Sequence, residues 1–258
     1  MLRILLSILR INWLNYRPAD CLPYACFCEK IGTGLIRQPV NAYTNLGYIL
    51  VGILVLVFLR RTGSSHQLQS SISGLPRRIL ILFGIAYVAV GIGSFIYHAS
   101  FIFLGEELDD DSMYMIGIFL VLFETARIHK LSVKQFLWIY FSLNILFEAA
   151  IYIFPVIRGM LFAVLMVISF TIELYARRQA ELKDEVRLTD IANLLFLLAY
   201  LIWILDKTHL LCYPESLFQG HAIWHLVTAY AGWVMFKAMD CEYDPARISS
   251  RATYNQKW

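Results

Sequence analysis

Seven apolar runs, each about as long as a lipid bilayer is thick, constrain this chain more than any other feature. A hydrocarbon core about 30 Å thick takes roughly 20 mostly apolar residues per helix. Such runs lie near residues 40–60, 79–101, 112–128, 134–154, 156–176, 187–205 and 218–238. With 258 residues, 59% hydrophobic and 16% charged, the composition is not that of a soluble globular domain. Backbone polar groups in lipid must be satisfied internally, so the expectation is an all-α integral membrane fold with seven transmembrane helices. The third run is short, and only Phe154-Pro155 separates the fourth from the fifth. Six spans with one re-entrant hairpin is the open alternative.

Basic residues orient the spans. Arg60, Arg61, Arg77 and Arg78 flank the first loop between runs; Arg127, Lys130 and Lys134 flank the third. Arg177, Arg178, Lys183 and Arg187 flank the fifth, and Lys237, Arg247, Arg251 and Lys257 follow the last run. The alternate loops hold no basic residue between His98 and Ser112, then Arg158 alone, then Lys207 alone. This alternation places the N-terminus outside and the C-terminus in the cytoplasm, against the vote of Arg3, Arg10, Arg17, Lys30 and Arg37. It divides the chain into an extracytoplasmic segment 1–38, a membrane domain 39–239 and a cytoplasmic tail 240–258. The net charge of +3 is then cytoplasmic-face charge, and no nucleic-acid partner is expected. Either a bacterial inner membrane or an ER or Golgi membrane accommodates this arrangement. Met1–Leu14 reads as an interfacial amphipathic helix rather than a signal peptide, since no small-residue cleavage site follows. Residues 62–76 read as a polar linker.

Cys21, Cys26, Cys28 and Cys212 fall on the outer side, where disulfides persist, and Cys241 on the cytoplasmic side. Cys26-x-Cys28 is too tight for a zinc pair. The expectation is one bridge from the N-terminal segment to the loop of Cys212, with free buried thiols as the alternative. Glu124, Asn144, Glu148, Glu173, Asn193 and Asp206 read mainly as hydrogen-bonding glue between helices.

Ionisable side chains at membrane depth, each costing roughly 2.5–3.5 kcal/mol or more, mark functional sites by default. His98 closes the second run, Asp109 follows in an acidic loop, and His221 and His225 open the last run four residues apart. The spacing of His221 and His225, and of Ser94 and His98, places each pair on one helix face. Taken singly, a histidine at a helix end reads as an interfacial anchor and Asp109 as part of a solvated acidic loop. Together they share one membrane level on the non-cytoplasmic side. His209 is a spare candidate in the same outer region; His66 and His129 are cytoplasmic and excluded. Three imidazoles leave a zinc ion an open fourth position for water or substrate. Such a site lowers the pKa of water and polarises a carbonyl. A carboxylate can carry the water's proton to the leaving group, and a hydroxyl such as Ser94 can face the oxyanion or orient a ligand.

Ser94-x-x-x-His98, Asp109 and His221-Ala222-x-Trp224-His225 resemble the alkaline ceramidases of the CREST superfamily. Cys28-Glu29, Pro39-x-Asn41-x-x-x-Asn45-Leu46, Leu104-Gly105-x-x-Leu108-Asp109 and Trp203-x-x-Asp206 extend the resemblance from about Cys28 to residue 236. The superfamily also contains adiponectin and progestin receptors and GPI-remodelling hydrolases. The resemblance implies seven helices around zinc held by His98, His221 and His225. It assigns the water-activating carboxylate to Asp109 and the supporting serine to Ser94. The implied reaction is hydrolysis of ceramide, as lipid partner, to a sphingoid base and a fatty acid by attack of zinc-bound water. The family's extracytoplasmic disulfide would pair Cys28 with Cys212. The family's calcium site would fall on the N-terminal segment, where only Glu29 matches. Cys26 and Gln38 replace its other acidic positions, so calcium is expected to be weakly bound or absent. A superfamily receptor would place its N-terminus in the cytoplasm, opposite to the charge pattern here. A GPI- or phospholipid-remodelling esterase and a bis-histidine haem protein are the remaining alternatives.

Overall fold

The computed structural model describes residues 12–23, 26–62, 68–70, 72–179 and 183–244. Residues 1–11 of the expected interfacial helix, His66 and the tail from residue 245 lie outside the described residues. The helices, in chain order, are α1 (Pro39–Thr44), α2 (Leu46–Arg61), α3 (Leu80–Ser100), α4 (Phe103–His129), α5 (Val133–Ile153), α6 (Arg158–Gln179), α7 (Lys183–Lys207) and α8 (Gly220–Asp240). No β-strand occurs among the described residues.

Six stretches are long and apolar enough to cross a membrane: Pro39–Arg61, Arg77–Ser100, Phe103–His129, Val133–Ile153, Pro155–Arg178 and Arg187–Lys207. The protein is an integral multi-pass membrane protein. Exposed apolar side chains such as Trp138, Ile145, Leu146, Val164, Val167, Leu194 and Leu201 cover the outward faces of α5, α6 and α7. A belt of that kind suits hydrocarbon rather than water.

The helix of the seventh apolar run, α8, is not among those six. His221, His225, Thr228, Lys237 and Asp240 lower its hydropathy. It nevertheless packs lengthwise against α7 and α2, and side chains at its two ends reach α3 and the residues just before it. The His221 Nε2 atom lies 3.0 Å from His98 Nε2 at one end, and Asp240 Oδ1 accepts from Arg77 Nε at 2.7 Å at the other. Between α2 and α3 the contact is backbone-close. A Cβ on Gly91 would sit 2.9 Å from the Asn45 carbonyl oxygen, the approach that small residues permit where no hydrophobic force joins helices.

The end of the bundle away from the histidines is closed by buried charge. Arg127 bridges Glu124 and Glu242, and Ser70 donates to Glu242 at 2.6 Å. Ser70 is buried, so the described part of the expected 62–76 linker is folded against the helices. The reason is Glu242: a buried carboxylate needs donors, and Arg127 and Ser70 supply them.

Two differences from the sequence expectations concern the histidine end. The Glu106–Asp111 stretch, expected as an acidic loop, forms the first turns of α4, which starts at Phe103. Carboxylates are favoured at a helix N-terminus, and Arg158 from the start of α6 pairs with Glu106, Glu107 and Asp110. Two disulfides form where one bridge was expected, Cys21–Cys26 and Cys28–Cys212. The second is the pairing implied by the family resemblance.

Candidate metal centre

Three helix ends converge to build the site. The α3–α4 corner is only two residues long, with Phe101 in the left-handed region at φ 51°. That conformation is disfavoured for a bulky residue; the ring of Phe101 is buried, and its carbonyl accepts from the Ala19 N–H at 3.0 Å. The tight corner keeps His98, in the last turn of α3, beside the first turns of α4. Gly93 sets the approach of the two helices: a Cβ there would fall 2.4 Å from the Leu108 carbonyl oxygen. This contact places the Ser94 hydroxyl beside the Asp109 carboxylate.

The first two turns of α8 supply His221 and His225. Gln219, the residue before the helix, makes no side-chain cap. Asp206, at the end of α7, does so instead. Its Oδ2 accepts from the His221 N–H and its Oδ1 from the Cys28 N–H, both at 3.0 Å. One buried carboxylate thus fixes the start of α8 and the N-terminal segment together. The sequence pattern showed Asp206 as a buried polar residue but not this double role.

His98, His221 and His225 are all buried, and one nitrogen from each lies within 4.8 Å of the other two. The orientation of the rings comes from Gln38 and from α1, residues whose part in the site the sequence did not reveal. Gln38 Nε2 donates to the Glu29 carbonyl, while its Oε1 accepts from Asn41 Nδ2 at 3.0 Å. The same Oε1 lies 2.9 Å from His98 Nδ1, so that nitrogen carries the hydrogen and Nε2 keeps its lone pair. Thr44 Oγ1 donates to a backbone carbonyl of its own helix and accepts from His225 Nδ1 at 3.0 Å, which frees His225 Nε2 in the same way. Such partners orient metal-binding histidines. Gln38→Leu is therefore expected to weaken zinc binding about 10–100-fold, measured by competition with a chelating dye. Unchanged affinity would show that the His98 tautomer is set elsewhere.

His221 tests whether the residues suit a metal. Its Nδ1 is buried without a hydrogen-bond partner, and its Nε2 faces the lone pair on His98 Nε2 at 3.0 Å. With the hydrogen on Nδ1, two lone pairs oppose each other at 3.0 Å unless a cation stands between them. Tetrahedral zinc with Zn–N bonds near 2.0–2.1 Å holds its ligand nitrogens about 3.3 Å apart. The donor set is neutral nitrogen, which suits zinc. The residues fit the ion. They do not fit a haem between His98 and His225, whose ring centroids are only 5.2 Å apart with the His221 ring against both at 4.8 and 4.3 Å.

Calcium is a different matter. Both Glu29 carboxylate oxygens accept backbone N–H groups, from Val40 and Asn41, at 2.8 Å. Burial pushes the Glu29 carboxyl above the usual range, and those two bonds pull it back down. Cys26 is in a disulfide and Gln38 is engaged with His98 and Asn41. Calcium needs six to eight oxygen ligands, and these residues do not offer them.

The Phe27 ring stacks on His221 with centroids 3.5 Å apart. Phe27, His221, His225, Ser94 and Asp109 line a cavity of about 710 Å³. Its other walls include Trp203 and Trp224, and charged residues gather at one side: Asp20, Glu106, Arg158 and Lys207. His209 bonds the Cys26 carbonyl at 3.0 Å and stands outside the triad.

A family model described as Ceramidase matches residues 26–258. The chain belongs to the ceramidase family. No curated protein matches it. Ceramidase membership makes it a ceramide-hydrolysing membrane enzyme, acting on an amide bond. The ceramidase match includes every residue of the triad, together with Ser94, Asp109, Gln38 and both ends of the Cys28–Cys212 bridge.

Proposed function

We propose that the chain is a zinc-dependent intramembrane amidase that cleaves ceramide, or a close N-acyl sphingolipid, to a sphingoid base and a free fatty acid. One observation carries this reading: a buried histidine triad opens, beside a serine–aspartate pair, onto a large cavity inside the bundle. Zinc held by His98, His221 and His225 would polarise the amide carbonyl and lower the pKa of water toward neutrality.

The remaining steps belong to the side chains. Asp109 accepts a proton from the attacking water as the new C–O bond forms. Once protonated, Asp109 no longer needs the Ser94 hydrogen, which can turn to the developing oxyanion. Asp109 then returns its proton to the nitrogen as the C–N bond breaks, leaving an amine and a carboxylic acid. Trp203, Trp224 and the surrounding apolar wall exclude bulk water from the lipid chains.

The same proposal places seven spans in the membrane, with the N-terminus and the site on the non-cytoplasmic side. The basic loops favour it. So does α8, whose 21 residues rise about 31 Å and pack against α7 and α2, which supply two of the six apolar spans. Residues 1–38 then form the outer segment and 240–258 the inner tail.

The test is product identification with purified protein in lipid nanodiscs. Release of sphingoid base and fatty acid from ceramide is expected, faster than release from the matching ester lipid. Preferential cleavage of the ester would move the protein to the lipid-remodelling hydrolases. A calcium-selective chelator is expected to leave the rate unchanged, because Glu29 is already engaged with α1. A severalfold loss that calcium restores would contradict that expectation.

A further inference from the structure

Gln38 and Thr44 hold Nδ1 of His98 and of His225, but Nδ1 of His221 has no hydrogen-bond partner among the described residues. The torsion that turns an imidazole about its Cβ–Cγ bond is soft, so another contact must fix the plane of His221. The Phe27 ring supplies it. The two rings are nearly parallel, at 17°, with centroids 3.5 Å apart. Phe27 lies outside regular secondary structure, yet it is tied on both sides. Its neighbours Cys26 and Cys28 belong to different bridges, Cys21–Cys26 and Cys28–Cys212. The Cys26 carbonyl accepts from His209 Nε2, and the Cys28 N–H donates to Asp206 Oδ1, both at 3.0 Å. The first bridge is seated on α3, where the hydroxyl of Tyr97, the residue before His98, donates to Cys21 Sγ at 3.2 Å. The second leads to the loop before α8, the helix that carries His221. Two cross-links and two hydrogen bonds therefore hold one aromatic residue between the helix ends of His98 and His221.

We propose that Phe27 is the positioning residue of His221, and that the Cys21–Cys26 bridge keeps its ring in place. The inference rests on the zinc reading above. Stacking does for His221 what hydrogen bonds do for His98 and His225: it turns Nε2 toward the other ligand nitrogens in advance of the ion. Without the aromatic face the imidazole gains freedom to turn, and that freedom must be given up again when the metal binds. The ring therefore acts on zinc affinity and on the placing of the reacting carbonyl, not on the recognition of lipid. This also assigns work to a bridge that the family resemblance did not imply, Cys21–Cys26. That bridge joins the residue beside Phe27 to the hydrophobic cluster of Tyr97 and Phe101, at the end of the helix that carries His98.

Three variants of the full chain test the proposal. Phe27→Leu keeps apolar bulk and removes the aromatic face. Phe27→Trp keeps a face, and the cavity beside residue 27 leaves room for the larger ring. Zinc affinity, read by competition with a chelating dye, is expected to fall roughly three- to tenfold in Phe27→Leu. In Phe27→Trp it is expected to return to within about twofold of the parent. On ceramide, Phe27→Leu should lower kcat and move KM little. A raised KM with unchanged zinc affinity would make Phe27 a wall of the substrate cavity and overturn the proposal. Replacing both cysteines of the first bridge, Cys21→Ser with Cys26→Ser, is expected to weaken zinc by a similar factor. Combined with Phe27→Leu it should add little, because both changes act through one ring. Full additivity would overturn the role given to the bridge. Zinc bound equally by the parent and Phe27→Leu would remove the role of Phe27 and leave the zinc reading standing, whereas a parent that binds no zinc would overturn both.

Discussion

His221→Ala is expected to lose stoichiometric zinc and to lower ceramide hydrolysis at least a thousandfold. Polarisation of a carbonyl by a bound ion contributes several kcal/mol to the transition state, and each 1.36 kcal/mol is a factor of ten in rate. The loss should reflect metal rather than collapse of the fold. The His221 backbone N–H, which Asp206 holds, is untouched by the substitution, and α8 remains anchored to Arg77 through Asp240. Zinc content by elemental analysis, with melting temperature as the control for folding, separates the two. A variant that keeps its zinc and its rate would show that the triad is not a metal site.

Asp109→Asn is expected to retain zinc but to lose about 10²–10⁴ in kcat, the range for a positioned general acid–base. Asparagine keeps the shape beside Ser94, so the contact between α3 and α4 at Gly93 survives. What it lacks is a site for the water's proton. Single-turnover rates distinguish this from weaker binding: KM should move little while the chemical step slows. A rate within threefold of the parent would transfer the proton role away from Asp109.

These roles differ in how far the sequence reveals them. The triad was legible because its members are costly where they stand: His98 closes one apolar run, and His221 and His225 open another at helical spacing. Their convergence then follows from alternating helix directions. Asp109 was harder. Hydropathy reads Glu106–Asp111 as a loop, whereas it forms helix because Arg158, from α6, neutralises it across the bundle. That partner is fifty residues away in the chain, so no local pattern announces it. Gln38 and Thr44 illustrate the same limit. Nothing in Gln38-Pro39 indicates a hydrogen bond to His98, which exists only once the N-terminal segment crosses the end of α3. Helix α8 shows the converse. The polar residues that give α8 its chemistry depress the hydropathy by which spans are recognised. Cys21, Cys26, Cys28 and Cys212 allow three pairings, and only packing of Cys21 and Cys26 against Tyr97 and Phe101 shows why they bond each other.

The central claim is that His98, His221 and His225 hold a zinc ion on which amide hydrolysis depends. Zinc stoichiometry and ceramide turnover, measured on one purified sample before and after chelation and then during zinc readdition, test it most directly. The expected result is one zinc per chain, a rate that falls to background as zinc is removed, and recovery in proportion to zinc restored. Full turnover in protein shown to be free of metal would contradict it.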